Sequence, residues 1–404
     1  MSIDPSVAVN SWRGRGSAVT AVLLGVAVAL TAITGLAACS ADSPPPPPPP
    51  LARLSVPVST GPAINPTTPI TVVASLGELQ SVTVTTPENK QVQGEFSPDH
   101  LQWSTTEDLG YGGEYTVDAT AVNSANKPTH QTFQVSTIDP QETAYANVVP
   151  APDVVSGVGI GVGQPMVFQF TQPVKNKVEV EKHLKVTTTP AQPGAWYWVD
   201  DSHVDYRGPN YWKPGTKIHI EANVYGVDLG NGVYGAEDNS ADYTVHDSWV
   251  AKADGATEVL SIYQNGSLVK TMPMSLGEAD TPSHVGVHVI SAKSQSIVMD
   301  SCSYGVCQGD PGYYSETVLW DERISNDGEF VHAAPWSVGQ QGAANVSHGC
   351  VNLSTDNAIW FYNHFGLGDV VEITNSGGAE LPVWDTYGDW GVPWNVWKKG
   401  NADS

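Results

Sequence analysis

A cysteine and two histidines lie close together in the last third of the chain. His332 precedes Cys350 by 18 residues, and Cys350 stands in the stretch Ser347-His348-Gly349-Cys350-Val351-Asn352. A cysteine attacks as its thiolate, and a basic group beside it lowers the pKa of the thiol. Gly349 lets the backbone approach a substrate closely, and the main-chain N–H groups of residues 348–350 could stabilise an oxyanion. The pattern predicts acyl transfer through a thioester, with Cys350 as nucleophile and His332 as base.

The same residues have other interpretations. A lone buried cysteine packs as a small hydrophobic residue, and a lone buried histidine is commonly a satisfied polar group. Cysteine and histidine are also zinc ligands, although the stretch lacks a second pair of thiols at ligand spacing. A structural zinc site is therefore an alternative to catalysis.

The N-terminus predicts export. Arg13 and Arg15 precede an uncharged stretch, residues 17–39, that is rich in Ala, Val and Leu, as in a secretory signal. The stretch ends in Leu36-Ala37-Ala38-Cys39, which resembles the lipobox of bacterial lipoproteins, where the cysteine is lipidated and becomes the new N-terminus. An uncleaved anchor is the alternative, because the stretch is long enough to span a bilayer. In either case we expect residues 1–38 to be the signal segment and the rest to lie outside the cytoplasmic membrane.

The proline run and the net charge indicate a linker and limit the kinds of binding partner. Seven consecutive prolines, Pro44–Pro50, predict an extended polyproline rod, so residues 39–52 are interpreted as lipid anchor and linker. The formal net charge is −24, which argues against nucleic acid and anionic lipid surfaces as partners.

Two further cysteines, Cys302 and Cys307, lie five residues apart in a loop-like sequence. Outside the cytoplasm such a pair can form a small-loop disulfide. A pair of free thiols is the alternative, because sequence does not give the geometry.

Residues 51–249 contain only strand patterns, rich in Thr and Val and interrupted by Pro and Gly. The segment Trp103–Ala119 has an echo in Tyr206–Ala222, with a period of 103 residues. This period indicates two consecutive immunoglobulin-like β-sandwiches, residues 53–143 and 144–249.

One loop of the second sandwich gathers oxygen atoms on a glycine-rich turn. Asp228, Asn231 and Gly232 are candidate ligands for a hard cation such as calcium. Their spacing is not that of an EF-hand, and a plain acidic turn is the alternative.

Residues 250–376 predict a third, β-rich domain. Asn265-Gly266 marks a hairpin, and strands are expected at 286–290, 329–332 and 369–374. One helix is expected, capped by Ser354 or Thr355 and closed by Gly366. Its apolar stripe is Ala358, Ile359, Tyr362 and Phe365.

The tail, residues 377–404, carries four tryptophans within fourteen residues, at positions 384, 390, 394 and 397. We expect it to dock in an apolar groove between domains, with carbohydrate stacking as the alternative. The predicted fold is thus mainly β: two immunoglobulin-like sandwiches, a β-rich catalytic domain with one main helix, and a Trp-rich tail.

The spacing from His332 to the Ser347–Asn352 motif resembles the active-site signature of the YkuD-type L,D-transpeptidases, which join peptidoglycan stem peptides. The stretch Phe330–Gly339 and the Trp-rich tail resemble the mycobacterial-type, lipid-anchored enzymes. The resemblance implies that Cys350 attacks the third-residue carbonyl, a diaminopimelate, of a donor tetrapeptide and expels D-alanine. The side-chain amine of an acceptor diaminopimelate then attacks the thioester, with His332 moving the protons.

The resemblance also implies roles for other residues. His348 and Gly349 would supply backbone N–H groups and shape. Substrate contacts would come from Met299, Tyr304, Tyr314, Asp327, Gly328, Trp336, Ser347 and Asn352. Carbapenem β-lactams are the implied inhibitors, no cofactor is implied, and the lipid-anchored protein would face the cell wall.

Two features depart from the family pattern: one residue and one pair of cysteines. Ala333 stands where close relatives carry a serine, so activity is retained only if the neighbour of His332 acts through its main-chain carbonyl. Cys302 and Cys307 fall in the flap over the cleft, where a disulfide would stiffen a segment that opens.

Two alternative functions remain from sequence. Release of the thioester by water would make the protein an L,D-carboxypeptidase that trims stems. A non-catalytic wall-binding lipoprotein is the other, and it predicts unchanged function when Cys350 is replaced by alanine.

Overall fold

The computed structural model describes residues 46–311 and 313–403, which form a mainly β chain, as predicted. Cys39 and the predicted signal segment, residues 1–38, lie outside the described residues. Within the described ranges no helix has the length and apolar character needed to cross a membrane.

The first domain is a sandwich of two four-stranded sheets. Its strands are β1 (Arg53–Ser55), β2 (Thr71–Ser75), β3 (Glu78–Thr85), β4 (Gln91–Val92), β5 (Gly94–Phe96), β6 (Gln102–Thr105), β7 (Glu114–Val122) and β8 (Pro128–Ser136). The sheet orders are β1-β2-β6-β5 and β4-β3-β7-β8. Every second side chain of β7 is buried, because successive side chains of a strand point to opposite faces and one face covers the core.

The second domain has the same layered plan. Its elements are β9 (Glu142–Ala144), β10 (Ala146–Val149), β11 (Met166–Phe170), α1 (Lys177–Glu181), β12 (Leu184–Thr189), β13 (Ala195–Trp198), β14 (His203–Arg207), β15 (Lys217–Ala222), β16 (Asp228–Gly230), β17 (Val233–Gly235) and β18 (Asn239–Thr244). The sheets are β10-β11-β14-β13, β12-β15-β18 and β16-β17-β9. The repeated segments occupy β6 and β7 in the first sandwich and β14 and β15 in the second.

The loop proposed for calcium is a hairpin turn between β16 and β17. Asn231 and Gly232 have φ of 54° and 77°, the left-handed conformation of such turns. The carboxylate of Asp228 accepts the N–H of Gly230 at 2.8 Å. Within the described ranges no three His, Cys, Asp or Glu side chains are grouped to hold a metal. The structure therefore accounts for this loop as an acidic turn.

The third domain contains two sheets and one main helix. Its elements are β19 (Trp249–Asp254), β20 (Val259–Gln264), β21 (Ser267–Pro273), β22 (Gly286–Val289), β23 (Ala292–Asp300), β24 (Ser315–Arg323), β25 (Phe330–Ala333), β26 (Val351–Leu353), α2 (Thr355–His364) and β27 (Val370–Thr374). The sheets are β21-β20-β19-β27-β22 and β23-β24-β25-β26. The domain limits differ slightly from those predicted, because β9 pairs with β17 of the second domain and Trp249 begins the catalytic sheet.

Helix α2 starts where predicted, but its buried face differs in part and it ends differently. The Ser354 hydroxyl accepts the N–H of Asn357, a cap worth about 1 kcal/mol. Of the predicted stripe, Ala358 and Phe365 are buried, whereas Ile359 and Tyr362 are only partly buried and Phe361 is buried in addition. Gly366 does not close the helix. Instead, the Lys293 ammonium donates to the carbonyl groups of Tyr362 and Phe365, which satisfies the C-terminal end.

The prediction of a single helix was incomplete, because α1 and a short helix in the tail, α3 (Trp394–Trp397), also form. Four 3-10 turns complete the secondary structure: Pro57–Thr60, Ser301–Tyr304, Pro335–Ser337 and Gly388–Gly391.

The Trp-rich tail docks between domains, as predicted. Trp397 is fully buried and donates its indole N–H to the Ala195 carbonyl at 2.9 Å. The Arg207 guanidinium donates to the main-chain carbonyls of Asp389 and Val392. Its Cζ atom lies 4.3 to 5.9 Å from the ring centres of three of the tryptophans, 390, 394 and 397. Of the four tail tryptophans, Trp384 is largely exposed, and the other three contact protein groups.

Candidate active site

Two neighbouring strands bring the cysteine and histidine together. β25 and β26 run parallel, and His332 pairs with Asn352. Cys350 immediately precedes β26 and lies two residues before Asn352. His332 and Cys350 both line one cleft of about 320 Å³.

The main chain orients the histidine. The Nδ1 atom of His332 lies 3.0 Å from the Ala333 carbonyl oxygen, so in the tautomer with a proton on Nδ1 this nitrogen donates and Nε2 stays free as a base. The orienting oxygen belongs to the backbone, and alanine therefore supplies it as serine would. Burial lowers the pKa of His332 to about 4, against the opposing effects of the Ala333 carbonyl and the Asn352 side chain. The imidazole is neutral at neutral pH.

The nucleophile is also neutral before substrate binds. Cys350 is 6% exposed, and burial raises the pKa of its thiol to about 12. The Sγ atom lies 3.6 Å from the Gly328 carbonyl, to which the thiol donates. The prediction that a neighbouring histidine lowers the pKa of the Cys350 thiol is therefore wrong for this structure, because burial dominates and a neutral imidazole provides no positive charge.

The loop before Cys350 is held by its own hydroxyl group. Ser347 Oγ donates to the Cys350 carbonyl at 2.6 Å and accepts the Gly349 N–H at 3.2 Å. Gly349 has φ of +116°, a conformation that L side chains rarely adopt. Of the three N–H groups predicted for the oxyanion, that of Gly349 is therefore engaged. Those of His348 and Cys350 donate to no carbonyl among the turn and loop hydrogen bonds of the described residues.

A flap covers the cleft. It is the hairpin of β23 and β24, joined by residues 301–314, and the Tyr314 ring stacks on His348 with centroids 5.2 Å apart. The predicted disulfide between Cys302 and Cys307 is formed in this connection. The Asp300 carboxylate accepts the Cys302 N–H at 2.9 Å and caps the 3-10 turn that contains the backbone of Tyr304.

Most predicted substrate contacts line the cleft, together with His332, His348 and Cys350: Met299, Tyr314, Trp336, Ser347 and Asn352. Gly328 lies under the Cys350 thiol. Asp327 does not line the cleft. Its carboxylate accepts from Ser325 Oγ and lies 3.6 Å from His284 Nδ1, so it belongs to the support behind the site.

That support contains groups that the sequence analysis missed. Glu329 is almost fully buried and accepts the main-chain N–H of His284 at 2.7 Å, while its other oxygen lies 3.1 Å from His288 Nε2. Against the cost of burial, these histidines keep the pKa of Glu329 below its ordinary value. Ser283 Oγ donates to the Gly349 carbonyl at 2.6 Å. No local pattern links these positions, because they meet only through sheet pairing.

The fold and the cleft together define an enzyme that transfers acyl groups through a cysteine. Residues 248–373 match the family model of the YkuD L,D-transpeptidase catalytic domain, and residues 62–228 match that of a bacterial Ig domain. The chain is 42% identical over 335 residues to L,D-transpeptidase 2 of Mycobacterium tuberculosis, which covers 83% of this chain and 81% of that relative. The chain therefore belongs to the YkuD L,D-transpeptidase family.

Two further comparisons agree. L,D-transpeptidase 5 of the same species is 33% identical over 357 residues, covering 86% of this chain and 76% of that one. The solved structure of an LD transpeptidase in complex with imipenem matches with a TM-score of 0.50 and 31% identity, covering 58% of this chain and all of that chain.

Proposed function

We propose that this protein cross-links peptidoglycan by joining third-position diaminopimelate residues of two stem peptides. The observation that carries this proposal is the shared cleft of His332 and Cys350 under a flap, in a chain of the L,D-transpeptidase family. The cleft holds a thiol, a neutral imidazole and main-chain N–H groups, which are the parts that acyl transfer requires.

The reaction has two steps. Cys350 Sγ gives its proton to His332 and attacks the donor carbonyl, and the C–N bond to D-alanine breaks as His332 returns the proton to the leaving amine. The acceptor amine then attacks the thioester, His332 takes its proton, and the C–S bond breaks to restore the thiol. The N–H groups of His348 and Cys350 stabilise the oxyanion in both steps.

A covalent inhibitor tests the nucleophile. A relative binds imipenem, and the strained amide of a carbapenem mimics the donor carbonyl. We expect intact-mass measurement to show one imipenem adduct on the purified protein and none on Cys350→Ala. If neither protein gains the adduct, or both do, Cys350 is not the nucleophile.

Analysis of the products shows whether an acceptor amine or water releases the thioester. Incubation with a tetrapeptide donor and a diaminopimelate acceptor yields a cross-linked dimer in this proposal, and a trimmed tripeptide alone would identify a carboxypeptidase.

We also propose that the protein acts outside the cytoplasmic membrane, held by a lipid on Cys39 and facing the cell wall. The support is the lipobox-like sequence at residues 36–39 and the proline run after it. A disulfide at Cys302 and Cys307 agrees with an oxidising compartment.

A further inference from the structure

A second, smaller cavity adjoins the cleft across the flap. Its volume is about 140 Å³, and it shares Met299 and Tyr314 with the cleft. Gly328, which accepts from the Cys350 thiol, forms part of its wall. A group bound here therefore lies close to the nucleophile but on the other side of the shared side chains. His332 lines the cleft and is not part of this wall.

One arginine dominates the charge of this region. Arg323 lines the small cavity, and neither cavity has another lysine or arginine in its wall. The chain has 18 Lys and Arg residues against 42 Asp and Glu, so a cation beside the nucleophile stands out against a strongly acidic background. No other arginine occurs after residue 207.

Contacts with the protein hold the Arg323 side chain in place but engage only some of its hydrogen-bond donors. Its Cζ atom lies 4.6 Å from the Phe330 ring centre, and Nη1 donates to the main-chain carbonyls of Ser325 and Asn326 at 3.3 and 3.4 Å. A guanidinium carries five N–H donors in a rigid fork, so several remain for a ligand. The planar fork matches a carboxylate.

An acidic residue also lines this cavity. Asp300 lines it, and its Oδ1 accepts the Cys302 N–H, which orients the side chain. A cavity with one cation and one anion in its wall suits a ligand group that carries both charges. A volume of about 140 Å³ equals that of four to five waters at ~30 Å³ each, enough for an amino-acid head group of ammonium, carbon and carboxylate.

We propose that Arg323 and Asp300 bind the charged end of the donor's diaminopimelate side chain, with its carboxylate at Arg323 and its ammonium at Asp300. This inference rests on the proposed function. The acceptor does not fit the same place, because its amine must lose a proton before it attacks, and a carboxylate partner favours the protonated amine. The acceptor amine also needs His332, which lies in the cleft. The small cavity thus selects the donor, by recognising a group that does not react.

Donor variants separate this role from a structural one. Acylation of the purified protein by a tetrapeptide donor, without acceptor, is followed by intact mass over a range of donor concentrations. Three donors are compared: one with a free side-chain amine and carboxyl, one with that carboxyl amidated, and one with that amine acetylated. For Arg323→Gln we expect about a tenfold or larger rise in the half-saturating concentration of the free donor, from loss of a charge-assisted pair, and little change for the amidated donor.

Two further variants complete the design. Asp300→Asn keeps an oxygen that accepts the Cys302 N–H, and it should weaken binding of the free donor but not of the acetylated one. Lys270→Gln, a cation of the same domain that lines neither cavity, is the matched control and should behave as the parent. Because the Arg323 charge also lowers the pKa of the Cys350 thiol, alkylation by neutral iodoacetamide is measured in every variant. A change in the reactivity of the Cys350 thiol affects acylation by all three donors equally, so it cancels when the donors are compared with one another.

The outcomes are distinguishable. An equal change for free and amidated donors in Arg323→Gln, or no change for either, would overturn the assignment while the proposed function stands. If no donor acylates the parent although iodoacetamide labels Cys350, the proposed function fails and this inference fails with it.

Discussion

The burial of two side chains determines their protonation states in the free enzyme. Burial moves the pKa of His332 down to about 4 and that of Cys350 up to about 12, so both groups are neutral at neutral pH. A neutral pair needs no charges buried in a dry cleft, which would be costly. The thiolate is therefore formed only as the proton passes to His332 and the attack on the carbonyl begins.

The pH dependence of alkylation tests this state. With the thiol pKa raised, the reactive thiolate fraction at neutral pH is small and grows about tenfold per pH unit. We expect the iodoacetamide rate of the free protein to rise steadily from about pH 6 to pH 9 without a plateau. Cys350→Ala, in which Cys302 and Cys307 remain bonded and Cys39 is unchanged, serves as the blank. A plateau below pH 7 would show a thiolate–imidazolium pair and contradict the neutral state.

Sequence was sufficient to single out Cys350 and His332, which the structure places in one cleft, and insufficient for the residues behind them. Cys350 and His332 are recognisable because nucleophile and base are scarce residue types and sit near each other in the chain. Glu329, His288 and Arg323 gave no signal, because a lone acidic, imidazole or guanidinium side chain in a strand region is usually a surface or packing residue. Their roles arise only when β22, β24 and β25 are assembled.

The hairpin of β23 and β24 forms one wall of the cleft. It supplies Met299 and, just before β24, Tyr314 to the cleft wall. The disulfide between Cys302 and Cys307 closes a small ring in the connection of this hairpin. The ring restricts the conformations of a segment beside the cleft.

Breaking this ring should therefore change access to Cys350. We expect Cys302→Ser combined with Cys307→Ser to alter the rate of acylation by imipenem, with an increase of about two- to fivefold if flap opening limits entry. Mild reduction of the parent should have the same effect, and reduction of the double variant should have none. Identical rates in all four samples would show that the disulfide does not control access.

Local sequence patterns predicted where strands, turns and helices occur better than they predicted which side of an element is buried. Asn265-Gly266 gives the turn between β20 and β21, with φ of 49° and 81°, because only such residues adopt this turn readily. The buried stripe of α2 was predicted in part: Ala358 and Phe365 are buried, but Phe361 is buried where Ile359 was expected, since both are apolar and only the packing partner decides which one faces the core. The C-terminal end of α2 was missed because its cap, Lys293, comes from a distant strand.

At the scale of the whole molecule, the three domains are joined by hydrogen bonds to main-chain groups. Tyr111 of the first sandwich donates its hydroxyl to the Gly235 carbonyl and accepts the Gly226 N–H. Between the second sandwich and the catalytic domain, the N–H groups of Gly161 and Gly163 donate to the carbonyls of Leu367 and Gly368. Each joint thus satisfies polar main-chain groups of both partners, which a swivelling linker would leave to water.

The proposed anchor concerns the entire chain. We expect the full-length protein, expressed in a bacterium that lipidates exported proteins, to fractionate with membranes, because one diacyl group inserts stably. Cys39→Ala should be released or remain unprocessed, which the mass of the N-terminal fragment reports. Equal membrane association of both proteins, with residues 1–38 retained, would indicate an uncleaved anchor in place of a lipid.

The tail gives the junction of the second sandwich and the catalytic domain a mechanical property. The two domains are connected by the chain around residues 246–248, by the direct hydrogen bonds of Gly161 and Gly163, and by the tail, which Arg207 and Ala195 hold on the sandwich. These connections act in parallel, so a pulling force that separates the domains is shared among them. The linker carries the full load only after both the direct bonds and the contacts of the tail have broken.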